Sequence, residues 1–283
     1  MTILVTGATG AVGRTLISAL VSAGAQVRAV SRKPREAELP DGVEVVGADL
    51  TVPSTLTADL FDGVDRMFVF PVDRGVAEVV AAATAAGVHR FVVMSSLAAA
   101  GEFPRDIGSA SHTHHLAVEQ AVTARTDDWT ILRPGTFATN LLSWAWPIKA
   151  GMPVRVPYPH SAQAPIHEAD IADAAAVALL RDGHEGQIYP LTGPQSLTRI
   201  DQVAAIGAAI GRDIPLEEIT PAEFRADVAR FIPEDIIAML LHYWSDTVTE
   251  PDLVRPGVRD LTGRPGRTLE QWARDHRADF TAT

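Results

Sequence analysis

Short apolar runs alternate with longer alanine-rich or amphipathic ones over residues 1–135, which predicts an α/β protein with a doubly wound parallel sheet. Two further observations agree. The short runs are nearly continuous in Val, Ile and Leu, as in strands covered on both faces. After Pro134-Gly135 the texture changes to proline, tryptophan and short apolar pieces, which predicts a smaller C-terminal lobe.

Residues 3–6 read as the first buried strand, and a helix over 11–23 follows until Gly24 stops it. Strands are expected at 26–31 and 43–46, then a helix near 54–61, a strand at 66–70 and a helix over 75–86 ended by Gly87. A strand at 90–94, a helix around 111–124 and a strand at 129–133 complete six. Residues 166–180 have helical spacing and 187–190 suit a seventh strand, so this piece returns to the sheet. The expected division is 1–135 with 165–192 for the sheet domain, and 136–164 with 193–283 for the substrate lobe. Within that lobe, helices are expected at 198–211, 234–244 and 268–277, with a Pro/Glu-rich connection between the first two.

Composition excludes several function classes. With 24 basic against 35 acidic side chains the net charge is −11, and no basic cluster exceeds three residues. Broad binding to nucleic acid or to an anionic membrane draws on clustered cations, so neither is expected. The absence of cysteine removes disulfides, thiolate metal sites and a thiol nucleophile. No apolar stretch reaches the ~18 to 20 residues a bilayer needs, and the first residues lack the pattern of an export signal. A cytoplasmic protein with a small-molecule substrate is the expectation; nothing in the chain speaks to oligomeric state.

Between the first strand and helix, glycines fall at 7, 10 and 13, with Thr9, Ala11 and Val12 among them. Gly7 permits a tight turn off the strand, Gly10 lets the backbone approach a pyrophosphate, and Gly13 lets the helix pack closely. The first helical turn then offers N–H groups and a positive dipole end to the anion. Placed after a buried strand and before an apolar-periodic helix, this loop predicts dinucleotide binding in a Rossmann-type domain. After the second strand stand Ser31, Arg32 and Lys33, with no acid before Glu36. A cation there accommodates the 2′-phosphate of NADP(H), whereas NAD asks for a carboxylate; the other reading is a solvated basic turn. Asp49 and Leu50, after the third strand, suit the edge and face of an adenine. Phe70, Pro71 and Val72 are placed to line the cofactor cleft.

The glycine spacing resembles that of short-chain dehydrogenases/reductases. Five further segments narrow the resemblance: Ala85 to Leu97, Trp129 to Asn140, Glu168 to Asp173, Leu191 to Pro194 and Leu261 to Pro265. Together they are similar to the NmrA-like, atypical branch, which includes NADP-dependent quinone reductases, triphenylmethane reductases and redox-sensing regulators. The resemblance covers nearly the whole chain. It implies a C-terminal lobe closing over the cofactor, with a substrate cleft between, and Pro134, Gly135 and Phe137 flanking the nicotinamide.

The chain departs from ordinary members of that family where they carry a catalytic tyrosine and, four residues on, a lysine. The corresponding helix places His115 and Glu119 there. The tyrosines are 158, 189 and 243, and the lysines 33 and 149, all elsewhere in sequence. Hydride addition to a ketone builds charge on oxygen and needs a donor; quinones, iminium ions and carbocationic dyes accept hydride into a delocalised or neutral product. The expected acceptor is therefore an activated, aromatic or quinone-like electrophile. His115 is the candidate general acid, with Glu119 expected to raise its pKa from one turn away. His112, His115 and Glu119 can share a helix face, but no second motif supplies further ligands and no metal is expected. Ser95 and Ser96, at the end of the fifth strand, sit where open sheets bind ligands, or cap the loop there.

Asn140 is a polar group near the presumed nicotinamide site. Trp144, Trp146, Tyr243 and Trp244 make the second lobe aromatic in a chain with 6% aromatics, which suits a flat apolar substrate or a lobe core. The leading expectation is an NADP(H)-dependent oxidoreductase. A non-catalytic NADP-binding regulator and a tailoring enzyme with little or no net redox are the alternatives.

Overall fold

The computed structural model describes residues 1–72 and 74–281. The first half runs β1 (Thr2–Val5), α1 (Ala11–Ser22), β2 (Gln26–Ser31), β3 (Glu44–Gly47), α2 (Ala58–Phe61), β4 (Val64–Val69), α3 (Val76–Ala85), β5 (Arg90–Met94), α4 (Ala110–Thr123) and β6 (Trp129–Pro134). It continues with α5 (Ala145–Lys149), β7 (Val154–Val156), β8 (Ala162–Gln163), α6 (Glu168–Leu180), β9 (Gln187–Leu191), β10 (Leu197–Thr198), α7 (Arg199–Ile210) and β11 (Leu216–Glu218). Last come α8 (Pro221–Val228), α9 (Glu234–Thr249), α10 (Gly257–Thr262), α11 (Leu269–Asp275) and α12 (Arg277–Phe280).

Seven strands form one parallel sheet in the order β3-β2-β1-β4-β5-β6-β9. Alternate residues of each strand face opposite sides. Ile3, Val5, Val92 and Met94 join the core under α1 and α6, whereas Leu4, Phe91 and Val93 join the core under α3 and α4. Both faces are thus covered, which is why these strands read as unbroken apolar runs. Strand order reverses between β1 and β4, where open α/β sheets bind their ligands. Thr6 joins the two strands at that point: its Oγ1 donates to the Phe68 carbonyl at 2.9 Å and accepts from the Phe70 N–H at 2.7 Å.

A third core lies beyond the sheet, built from Leu141, Trp144 and Ile148, from β7, and from one face each of α7, α11 and α12. Two sequence expectations change here. The stretch read as a connection after α7 contains α8, which Thr220 opens with a capping box to Glu223 and Pro221 at the first helical position. Residues 257–262, placed in the substrate lobe with no helix expected, form α10, which buries Val258 and Leu261 in the sheet core beside α6. Its apolar residues at 258 and 261 have helical spacing, and sequence alone does not say which core they enter. Among the described residues no helix is long and apolar enough to cross a membrane.

Candidate active site

The loop after β1 has the geometry of an anion cradle. Gly7 sits at φ 63°, a left-handed conformation that side chains rarely adopt, and a Cβ there would strike the Phe70 ring at 2.6 Å. Gly13 lies against the loop itself, where a Cβ would come 2.2 Å from the Gly7 carbonyl oxygen. Gly10 differs from both. Its φ of −78° suits any residue, and a Cβ would meet only the Gly7 oxygen at an ordinary 3.4 Å. Thr9, Gly10 and Ala11 are exposed, while Val12 is buried against the sheet. No side chain caps α1, so its first-turn N–H groups face outward. Arg14, which sequence reasoning did not single out, straps the loop by donating to the Thr9 carbonyl at 3.0 Å and the Glu38 carbonyl at 2.7 Å.

Across the cleft, β2 ends at Ser31, beside Gly47 at the end of β3. The buried Ser31 Oγ accepts from the Lys33 N–H at 3.1 Å, which fixes the turn and leaves its own proton to donate. Arg32 is exposed, and among the described residues no carboxylate lies within salt-bridge distance of it. Lys33 is also exposed but pairs with Glu36 at 2.9 Å. Asp49 receives both the Thr51 hydroxyl (2.7 Å) and the Thr51 N–H (3.0 Å) on Oδ1. These bonds, aided by Arg32 and Arg74, hold its carboxyl below the usual range. Leu50 is buried in the core under α3 and lines an apolar cleft with Thr6, Phe70, Val72 and Val76. Pro71 is half-buried at its rim.

The opposite wall is held by backbone pairing. Gly135 donates to the Leu191 carbonyl at 2.9 Å, and Phe137 bridges to Ile166. Pro134 is buried at the end of β6, and a Cβ on Gly135 would crowd Leu97 at 3.1 Å. These bonds set residues 134–137 alongside the loop that follows Ser96.

Between the walls the predicted polar residues fall into two separate chains. In the first, Glu119 takes both arms of Arg133, Nε at 2.8 Å and Nη2 at 2.7 Å, and also accepts from the buried Ser95 hydroxyl at 2.5 Å. In the second, Ser111 Oγ lies 3.4 Å from Ser96 Oγ and 3.3 Å from His115 Nδ1, which also faces the Ser111 carbonyl at 2.8 Å. Ser96 additionally caps the following turn through the Ala98 N–H. Glu119 does act to raise the pKa of His115, as expected, but burial is the larger influence and the imidazole is held below its ordinary value. A carbonyl only accepts, so the neutral ring carries its proton on Nδ1 and leaves Nε2 bare. That protonation state accepts hydrogen bonds at Nε2 and does not make His115 a general acid at neutral pH. His112 accepts from the Gly108 N–H through Nδ1 at 3.1 Å, so the three residues of the imagined metal set hold different partners.

The aromatic residues separate as well. Trp144 is a core residue of the second lobe, and Trp146 is 70% exposed. Asn140 is exposed on the turn before them. The Tyr243 hydroxyl meets Thr136 at 2.9 Å and donates to Asp252, which Arg105 approaches at 3.7 Å. Burial and that carboxylate hold the phenol well above its ordinary pKa. Trp244, one residue on, lies under Arg199, whose guanidinium is 4.0 Å from the indole centroid and 5.5 Å from that of Trp144.

Arg199 carried no sequence signal and is the most unusual side chain of the lobe. It is 5% exposed, and its Nε is buried without a hydrogen-bond partner. Among the described residues no carboxylate lies within 4.0 Å of it, although every other arginine this buried is ion-paired. Burial pushes it down to about 9, so it stays charged at neutral pH. Cation–π contact supplies about 2 kcal/mol or somewhat more when desolvated, against a desolvation cost of several kcal/mol per buried ion.

Comparison with known proteins places the chain among reductases. The NAD(P)H-binding family profile matches residues 7–182. The chain is 35% identical to a (4-alkanoyl-5-oxo-2,5-dihydrofuran-3-yl)methyl phosphate reductase of Streptomyces griseus, covering 98% of this chain and 99% of that one. It is 34% identical to the NAD(P)H azoreductase of Xenophilus azovorans over 99% of each chain. Among solved structures, it superposes on an NADPH-dependent quinone oxidoreductase of Escherichia coli in complex with NADPH with a TM-score of 0.81, at 24% identity over 98% and 99% of the two chains.

Proposed function

The chain belongs to the NAD(P)H-binding family, and we propose that it is an NADPH-dependent reductase of conjugated, electron-poor acceptors of quinone or azo type. The observation that carries the cofactor half is Gly10. Neither its backbone conformation nor its protein neighbours call for glycine, and the bare backbone there leaves room for a ligand to approach closely. A pyrophosphate seated on the first turn of α1 meets that description. Thr9, Ala11, Val12 and Gly13 would turn their backbone toward it. Arg32, without a carboxylate partner among the described residues, and the Ser31 hydroxyl would take the 2′-phosphate, Lys33 adding a weaker charge because Glu36 already engages it. Asp49, Leu50, Phe70 and Pro71 would border the adenine side; Pro134, Gly135 and Phe137 would border the nicotinamide.

NADPH, held there, supplies two electrons as hydride. What the chain contributes is position and exclusion of water, because its polar groups are otherwise engaged. Glu119 is bound to Arg133 and Ser95, and His115 keeps its proton on the Ser111 carbonyl side. Neither is arranged to protonate a developing alkoxide, which disfavours simple ketones. A quinone or azo acceptor delocalises the incoming charge and takes its proton from water. The substrates for which the relatives are named, an azo compound, a quinone and an unsaturated furanone phosphate, share that electronic character.

Anaerobic incubation with NADPH and a panel of quinones, azo dyes and aliphatic ketones tests this reading. Quinones or azo dyes should be consumed together with NADPH, and ketones at least about a thousandfold more slowly, roughly the span of a missing acid catalyst. Ketone turnover as fast as quinone turnover would remove the acceptor half of the proposal.

A further inference from the structure

A buried charge ordinarily has a partner, and among the described residues the two other arginines in the buried class keep that rule. Arg90 meets Asp128 and Glu185 and Arg105 meets Glu250, while the half-buried Arg66, which has no carboxylate among the described residues, spends one arm on the Leu179 carbonyl. Arg199 alone among these deeply buried arginines faces aromatic rings instead of a carboxylate. Its position is fixed: it opens α7 directly after β10, and its N–H donates to the Ser161 carbonyl at 3.1 Å. Around that point Ser161, Gln163, Thr247 and Gln202 bond one another, and Gln202 and Thr247 also donate to the Leu197 and Tyr243 carbonyls. None of them turns an acceptor to the guanidinium.

Its location ties it to the cleft. Trp244, under the guanidinium, is the neighbour of Tyr243, whose hydroxyl bonds Thr136 on the wall expected to flank the nicotinamide. Tyr243 cannot serve as the missing counter-charge, because it is held protonated and donates to Asp252. A cation with spare N–H donors beside an indole face is a receptor for a flat molecule bearing a negative group.

We propose that Arg199 is the binding site for an oxyanion, phosphate or carboxylate, carried on the acceptor whose flat portion lies along Trp244. The anion would complete the hydrogen bonding of the guanidinium and set which acceptors the enzyme prefers. This deepens the reductase reading and rests on it for the identity of the ligand as acceptor; anion binding itself is measurable without turnover.

The test loads the full-length protein with NADP⁺ and titrates phenyl phosphate and benzoate against their neutral counterparts phenol and benzamide. Tryptophan fluorescence reports on Trp144 and Trp244, and calorimetry gives the affinity. The anionic members should bind at least about tenfold tighter than the neutral ones, the span of one charge-assisted contact. That preference should vanish in Arg199→Gln and survive in part in Arg199→Lys, which keeps the charge should the glutamine variant fold poorly. Equal affinity for anionic and neutral ligands in the parent protein, or undiminished anion preference in Arg199→Gln, overturns the assignment. Inorganic phosphate binding as tightly as phenyl phosphate overturns the claim that the anion arrives on an acceptor. A parallel assay with 1,4-naphthoquinone and its 2-sulfonate separates the two proposals. Anion binding without reduction of either quinone would defeat the reductase reading and leave Arg199 assigned, whereas identical kcat/KM for both quinones in parent and variant would defeat only Arg199.

Discussion

Glu119 and Arg133 form a two-armed ion pair in which both carboxylate oxygens are used, and the Ser95 hydroxyl adds a third bond to the same carboxylate. Their side chains are 6% and 16% exposed. Breaking a buried pair from one side leaves a stranded charge and costs about 3 to 5 kcal/mol. Glu119→Gln should therefore lower unfolding free energy by that order, while turnover per folded molecule stays within about threefold, below the loss expected for a catalytic group. Denaturant melts alongside active-site titration check this; full stability with turnover reduced a hundredfold would make Glu119 part of the chemistry.

The glycines of the first loop should part company on substitution. Gly13→Ala places a methyl 2.2 Å from the Gly7 carbonyl and must displace backbone, so it should cost stability by roughly 1 to 3 kcal/mol or more. Gly10→Ala meets nothing closer than 3.4 Å. It should melt like the parent, yet bind NADPH at least about tenfold more weakly, a difference near 1.4 kcal/mol. A Gly10→Ala protein with unchanged affinity would mean that the pyrophosphate lies elsewhere.

Arg32 and Lys33 differ in their surroundings, and so should their effects. Arg32→Ala should weaken NADPH about tenfold or more and NADH hardly at all, because only the former carries the 2′-phosphate. Lys33→Ala should do less, since Lys33 already pairs with Glu36. Equal losses for both coenzymes in Arg32→Ala would assign it to the turn and not to the phosphate.

His115 enters the neutral range uncharged, with Nδ1 on the Ser111 carbonyl. His115→Ala should keep quinone turnover within about threefold from about pH 5 to about pH 8, the span over which an ordinary histidine titrates. Loss of an acidic limb from the pH profile in that variant would restore a proton-transfer role.

A separate pair sets the pH dependence of stability. Glu168, at the start of α6, accepts from His276 at 2.7 Å and from the Trp272 indole at 3.1 Å. Its hydrogen bonds to His167 and His276 outweigh burial and hold it far below the carboxylate range, while Glu168 and Asp279 raise His276. The depressed carboxylate contributes fully above an unfolded pKa of about 4.3, and its contribution declines as pH falls further. The raised imidazole contributes fully below about 6.5, and its contribution is lost as pH rises through the folded value. The melting temperature should therefore be highest between those limits and fall on the alkaline side, and His276→Gln should flatten that alkaline fall. An unchanged alkaline slope in His276→Gln would show that other groups set it.

Much of the sheet was legible because burial on both faces leaves an unbroken signal. Val92 and Val93 face opposite cores, and both must be apolar. The loop from Gly7 to Gly13 was legible for a related reason: glycine spacing records backbone contacts directly. The helix at 221–228 was missed although Thr220 and Glu223 carry its cap, because composition suggested a linker. α10 was not expected as a helix, and its entry into the sheet core through Val258 and Leu261 depends on tertiary packing. Glu119 was misread for want of Arg133, which is distant along the helix-strand path and adjacent only in space. Arg199 has no pattern at all: its meaning lies in what fails to surround it, and that depends on the packing of α7, α9 and the turn at Trp144.

The most direct measurement is an anaerobic single-turnover reaction of the purified protein with NADPH and a quinone, following both absorbances together. The account predicts that reduced nicotinamide and quinone disappear in equal amounts, and that NADH does so far less efficiently at the same concentration. Tight retention of NADPH with no loss of quinone or azo acceptor, under conditions where both are bound, would contradict it and leave a nucleotide-binding protein without reductase chemistry.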